Sequence, residues 1–261
     1  MRRTINKFIP DRDLLQTARE VYERGWRSIK LYFMIGHPAE SMEDVQAIAD
    51  LSKAVLAEGR QVHHNKAKVT VSVSTFVPKA HTPFQWAPMD ALGQVVAKLD
   101  LLKSEVRGPG LRLRWNRPEE TLLEGLLARG DRRLGPVVRR AWELGSKFDG
   151  WQDYHRHGAW LQALQEQGLD LDFYTHRARL PGEVFPWEHL DTGLRKRYLA
   201  QDYAMSQRGE TREDCRGGCY GCGILPGFIE LRRETEAAAW QCPPVTPLPA
   251  RRCAPRCGGA R

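Results

Sequence analysis

Two stretches of the chain alternate between apolar and polar residues, and a third repeats the pattern in shorter form. In Ser28–Ile35, the side chains of Ile29, Leu31, Phe33 and Ile35 fall on one face of an extended strand. Lys30, Tyr32, Met34 and Gly36 fall on the other. In Lys68–Phe76, Val69, Val71 and Val73 share one face, and Thr70, Ser72 and Ser74 the opposite one. Leu111–Trp115 predicts a further short strand. A strand buried on both faces usually reads as a continuous apolar run, so the polar rows predict a surface turned toward a ligand or a solvated lumen.

Between these strands the period lengthens to that of a helix. Leu14, Leu15, Ala18, Val21 and Tyr22 predict a helix capped by Asp11 and ended by Gly25. Val45, Ile48, Leu51, Val55 and Leu56 predict a second, opened by the Ser41/Asp44 pair and closed by Gly59. Leu92, Val95, Val96, Leu99 and Leu102 predict a third. Strands separated by helical crossovers imply a parallel sheet with right-handed connections. The valines would face the helices and the hydroxyls the concave side. Ligands in such folds bind beyond the carboxyl ends of the strands, which marks Gly36–Glu40 and the proline-stiffened Val77–Trp86 as the functional rim.

From Arg117 to Gly209 the pattern turns helical. Leu122, Leu123, Leu126 and Leu127 share a helix ended by Gly130, and Asp131 is expected to cap one carrying Leu134, Val137, Val138, Ala141 and Trp142. A last helix is expected near Leu194–Gln207, and Trp142, Trp151, Trp160 and Trp187 as core or docking residues. Asp153, His155 and His157 invite a metal reading, but no third ligand is evident beside the two histidines, so polar surface or hydrogen-bonding roles are expected. Cys242, Cys253 and Cys257 lie among five prolines in a segment that reads as disordered.

Composition narrows the class. With 261 residues, 41% hydrophobic and 28% charged, the chain is that of an ordinary globular protein with enough length for a real core. No apolar run approaches the roughly 20 residues of a membrane span, and no apolar stretch follows the basic start as in a signal peptide. A cytoplasmic protein is expected, where clustered cysteines more often bind metal than pair as disulfides. The net charge of +8 gives weak attraction to polyanions such as RNA, without an RNA-binding motif to support it. All six cysteines lie from Cys215 onward. Cys215, Cys219 and Cys222, with Gly217, Gly218, Gly221 and Gly223 between and after them, can wrap one metal ion or cluster. Zinc there needs a fourth ligand such as Cys242, an iron–sulfur cluster accepts three cysteines plus another group, and unligated thiols remain the alternative.

Ser28-Ile29-Lys30-Leu31-Tyr32-Phe33-Met34-Ile35-Gly36-His37-Pro38-Ala39-Glu40 resembles the late-barrel strand and "GLP-x-E" turn of radical S-adenosylmethionine (SAM) proteins. Thr75-Phe76-Val77-Pro78-Lys79-Ala80-His81-Thr82-Pro83-Phe84-Gln85 resembles their "F-x-P-K-P-x-T-P-F-Q" segment at the end of the last barrel strand. The likeness is to an uncharacterised radical SAM family with an amino-terminal cobalamin-binding-like domain. It continues through Leu127–Leu134, Phe148–Trp151, Pro186-Trp187 and Asp214-Cys215, and so covers about residues 1 to 223. His37 stands where that family tends to have Leu.

The resemblance implies an α/β fold: the carboxyl-terminal portion of a partial (β/α) radical SAM barrel over residues 1–116, then a mainly helical extension over 117–210. A Cys-rich metal-binding segment at 211–229 and a disordered Cys/Pro/Arg-rich tail at 230–261 complete it. An intact member would bind a [4Fe–4S] cluster through a cysteine loop early in the barrel and use it to cleave SAM to a hydrogen-abstracting radical. Neither that loop nor the cobalamin-type domain occurs here, so the resemblance implies a fragment, inactive alone, with Met1 an internal start or the edge of a broken or split frame. A separate chain would supply the amino-terminal half, and cobalamin would enter only through it. Lys30, Tyr32, Met34, Gly36, Pro38, Ser72 and Ser74 would contribute to the SAM or substrate wall, with Cys215, Cys219 and Cys222 as a second Fe–S or zinc site. The rival readings are a non-enzymatic, metal-stabilised module binding RNA or a partner protein, and a non-functional truncated product.

Overall fold

Strand alternation carries over closely into the computed structural model, which describes residue 2, residues 4–151 and residues 153–234. The order is α1 (Asp11–Glu23), β1 (Ser28–Ile35), α2 (Met42–His63), β2 (Lys68–Thr75), α3 (Leu92–Glu105) and β3 (Leu111–Trp115). The three strands form one parallel sheet in the order β1-β2-β3, with Ile29 opposite Val69 and Val69 opposite Leu111. The fold is mixed α/β, as the alternation predicts.

The apolar rows do the packing. Val69, Val71 and Val73 are buried against α2 and α3 together with Ile35, Val45, Val55, Leu99 and Leu102, while Ile29, Leu31 and Phe33 pack at the margin of that core. Burying each such side chain contributes roughly 1.5–3 kcal/mol, which holds the helices to one face of the sheet. At the start of α2, Ser41 accepts from the Asp44 amide and the Asp44 carboxylate accepts from the Ser41 amide, closing the expected capping box.

Three local expectations change. Asp11 lies inside the first turn of α1, with Pro10 at the cap position and no side-chain cap bond. Gly59 does not end α2, which runs on to His63. A Cβ on Gly59 would stand 2.5 Å from the Tyr22 ring, so this glycine is a packing site where α1 crosses α2 rather than a stop. Asp131 does not cap the helix after it, because Arg133 holds that position and Asp131 binds Arg133 instead.

The helical region comprises α4 (Pro118–Arg129), α5 (Leu134–Glu143), α6 (His157–Glu166), α7 (Leu171–Thr175) and α8 (Lys196–Ser206), followed by short α9 (Ile224–Gly227) and α10 (Ile229–Glu234). It docks on the loop after β2 through the buried Arg129. That guanidinium donates to the carbonyls of Tyr174 (2.7 Å), Ala87 (2.5 Å) and Arg177 (2.9 Å). Burial, with Arg179 and Arg177 nearby, lowers the pKa of Arg129 to about 10. Trp160 and Trp187 are buried as expected, but Trp142 is 59% exposed, because the apolar face of α5 is filled by Val137 and Ala141, and Trp151, in the loop before α6, is 69% exposed. The expected disorder from residue 230 does not hold for residues 230–234, which lie in α10, and Cys242, Cys253 and Cys257 fall outside the described residues.

Candidate functional site

The sheet has two unlike faces. Helices cover the valine face. The opposite face carries Ser28, Lys30, Tyr32 and Met34 from β1, Lys68, Thr70, Ser72 and Ser74 from β2, and Arg112 and Arg114 from β3, aligned row by row in the strand register. Tyr32 is 74% exposed and Met34 48%. The Lys30 ammonium lies 4.5 Å from the Tyr32 ring centroid, a cation–π contact, and the Ser74 hydroxyl donates to the Phe33 carbonyl at 3.3 Å. The structure thus places Lys30, Tyr32, Met34, Ser72 and Ser74 on one surface. Gly36 follows at the strand end, and Pro38 sits beyond it in the rim turn rather than on the face.

That turn is held from below. Gly36 has φ 81°, a left-handed conformation that favours glycine, and Ala39 has φ 66°. The Gly36 amide donates to Glu40 Oε2 at 2.7 Å, and the Glu40 amide to the His37 carbonyl at 3.0 Å. Lys98, from α3, reaches the same Glu40 oxygen at 2.7 Å and Asp90 Oδ2 at 2.6 Å. Lys98 and Glu40 are nearly inaccessible, with side chains 8% and 2% exposed, and Asp90 is 20% exposed. Two carboxylates share one ammonium in a nearly dry site. Burial, reinforced by Asp90, pushes the Glu40 carboxyl above its usual range despite Lys98 and Gly36. Burial works against the Lys98 ammonium, yet its bonds to Asp90 and Glu40 outweigh this and raise its pKa.

His37 is buried between Phe76 and Phe84, with ring centroids 4.8 and 4.5 Å away. Burial lowers its pKa, which keeps the imidazole neutral and suits it to the space of an apolar side chain. In the Val77–Trp86 loop, Gln85 Oε1 accepts from the His81 amide (3.2 Å) and from Trp187 Nε1 (2.9 Å), tying the rim to the helical region.

Sequence reading missed Lys98, Asp90, Lys68, Arg112 and Arg114. The signals were there: Lys98 interrupts an apolar stripe between Val95 and Leu102, and the two arginines alternate with Leu111, Leu113 and Trp115.

The three cysteines lie within eight residues of one another in sequence. Cys215 is exposed, Cys219 and Cys222 are half-buried, and among the described residues no group of three His, Cys, Asp or Glu side chains is placed to hold a metal. The donor chemistry suits a soft metal, but this placement does not fit one. The loop is anchored at its far end, where the Arg195 amide donates to the Cys222 carbonyl at 2.8 Å. Its first cysteine lines a groove of about 390 Å³, whose wall includes Arg212 set between the Tyr198 and Tyr220 rings. Nor do His155 and His157 gather a third ligand. Their rings stack at 6.1 Å, His157 opens α6, and both His155 nitrogens are buried without a hydrogen-bond partner among the described residues.

No family model matches the chain, and no solved structure does. Over 138 residues it is 31% identical to the uncharacterised protein MJ0966 of Methanocaldococcus jannaschii. The match takes in 53% of this chain but 29% of that protein, which is therefore the longer. Among the described residues no helix is long and apolar enough to cross a membrane.

Proposed function

We propose that the chain is the carboxyl-terminal part of a radical SAM barrel, whose remaining strands come from further polypeptide or from a separate chain. One observation carries this reading: among the described residues, helices cover only one face of a parallel sheet. Parallel strands are ordinarily covered on both faces. Here the second face is polar and open, and among the described residues no strand pairs with the outer edge of β1. Such an edge is a template for another strand. Closing the sheet would turn Lys30, Tyr32, Met34, Ser72 and Ser74 into a lumen wall below the Gly36–Glu40 rim.

A [4Fe–4S] cluster and SAM, bound by the complementing part, would supply the hydrogen-abstracting chemistry. The residues of this chain would orient the ligand, exclude water and shape the rim, with Glu40 and Lys98 fixing the turn on which Gly36 and Pro38 sit. No step is assigned to Cys215, Cys219 and Cys222.

The test is anaerobic iron–sulfide reconstitution followed by dithionite and SAM, on the chain alone and with the polypeptide encoded directly upstream of Met1. The expected result is no 5′-deoxyadenosine from the chain alone and its formation by the pair. Stoichiometric product from the chain alone, or none from the pair despite a stable complex, overturns the proposal.

A further inference from the structure

The open face of the sheet has a charge pattern that barrel closure does not explain. Of its ten side chains, Lys30, Lys68, Arg112 and Arg114 are cations, and Ser28, Thr70, Ser72 and Ser74 are hydroxyls; none is a carboxylate. Lys30 and Arg112 flank Thr70 in one row, and Tyr32 and Arg114 flank Ser72 in the next. Among the described residues neither arginine has a hydrogen-bond or ion-pair partner, although most arginines of the helical region are paired.

A structural role does not account for this. Cations held only for solubility belong on a solvated helix face, mixed with acids. Across a sheet, like charges in neighbouring rows repel. Inside a closed lumen, four unpaired cations would cost several kcal/mol each unless an anion met them. Long side chains rooted two strand spacings apart, about 10 Å, can close on a small group held between them. The hydroxyls of Thr70 and Ser72 lie beneath that group as further donors. Arginine guanidinium is suited to bidentate contact with oxyanions.

We infer that this face binds a phosphate-bearing small molecule, with Arg112, Arg114 and Lys30 as its anion-binding residues and the Thr70/Ser72 hydroxyls as secondary donors. Calling that molecule the substrate rests on the barrel reading; the anion site itself does not. Phosphate is favoured over carboxylate because its several oxygens can engage both arginine rows and the hydroxyls together. Nucleic acid is disfavoured because Tyr32 is the one aromatic ring on the face, and Lys30 already covers it.

The probe is inorganic pyrophosphate, titrated calorimetrically into the full chain at about 50 mM salt, where screening is modest. One site of sub-millimolar to millimolar affinity is expected. The R112Q/R114Q variant should weaken it about tenfold or more, whereas R24Q/R139Q, which removes the same charge from exposed positions at the end of α1 and on α5, should change it less than twofold. Three results each overturn the inference: no binding up to 10 mM, equal weakening by both double variants, or citrate binding as tightly as pyrophosphate. Tighter binding of a uridine dodecamer that is lost in Tyr32→Ala would also overturn it, assigning the face to nucleic acid. The binding assay needs neither iron nor SAM, so it can succeed where the radical SAM reading fails. Conversely, an active pair in which R112Q/R114Q leaves the substrate KM unchanged would sink this inference and leave that reading standing.

Discussion

Replacing Lys98 by Met should destabilise the protein strongly at neutral pH and weakly under mild acid. The ammonium sits 2.7 Å from Glu40 and 2.6 Å from Asp90, and each contact represents about 6 kcal/mol of attraction at an effective dielectric of ~20. Methionine fills the space but leaves two carboxylates side by side in a nearly dry site. The loss has a ceiling, because the more buried one, Glu40, can take up a proton instead. From an ordinary pKa of 4.5, that costs about 4 kcal/mol at pH 7.5 and about 0.7 kcal/mol at pH 5.0. The sign follows from linkage: a carboxyl with a raised folded pKa contributes stability that is full below pH 4.5 and lost as pH rises through the folded value. Removing Lys98 raises that value further, so the loss grows with pH. Lys98 itself is raised above 10.5, so its own contribution is present throughout this range in the wild type and absent in the variant. Glu40→Gln should cost no more than about 1 kcal/mol, since Lys98 keeps Asp90 and the amide oxygen can still accept from Gly36. Combined with Lys98→Met, it should restore most of the lost stability, a coupling that a double-mutant cycle reads directly. Urea unfolding followed by circular dichroism at both pH values is the assay. A loss that is the same at pH 5.0 and 7.5, or a Glu40→Gln cost equal to that of Lys98→Met, would refute the reasoning.

Phe33→Asp should cost about 3 kcal/mol or more because it turns a charge into the helix-covered core, whereas Lys30→Ala should stay within about 0.5 kcal/mol; equal losses in thermal melts would mean the strand faces are reversed. Gly59→Ala should cost about 1–3 kcal/mol, since the new methyl meets the Tyr22 ring, and relief by the pair with Tyr22→Leu would confirm the contact; an unchanged melting temperature would contradict it. If the cysteine loop rearranges to take metal, anaerobically purified protein carries about one site per chain, and each Ala substitution at Cys215, Cys219 or Cys222 removes most of it while those at Cys253 or Cys257 do not. Metal-free wild-type protein would confine that loop to a packing role.

Alternation made the strands of the first 116 residues legible, and the Ser41/Asp44 capping box one helix start, because both are local. A period of two places Val69, Val71 and Val73 on one side of a strand whatever surrounds it, and Ser41 with Asp44 can satisfy amides only at a helix start. The same period sets Arg112 and Arg114 apart from Leu111 and Leu113, but it took the register to put them in rows with Thr70, Ser72 and Lys30. What the tertiary structure alone decided depends on residues far apart in sequence. Gly59 reads as a helix stop until Tyr22 packs over it. Lys98 only interrupts an apolar stripe in sequence, and it takes the fold of α3 to bring it to Glu40, 58 residues earlier, and to Asp90. Trp142 and Trp151 read as core, yet Val137 and Ala141 fill the inner face of α5 in place of Trp142, and Trp151 lies exposed in the loop before α6. Cys215, Cys219 and Cys222 read as one site by spacing, and the structure adds the anchor of that loop, the Arg195 amide on the Cys222 carbonyl, which joins residues 27 apart. Spacing along a chain specifies which groups can meet; only packing, by fixing the backbone between them, specifies which do.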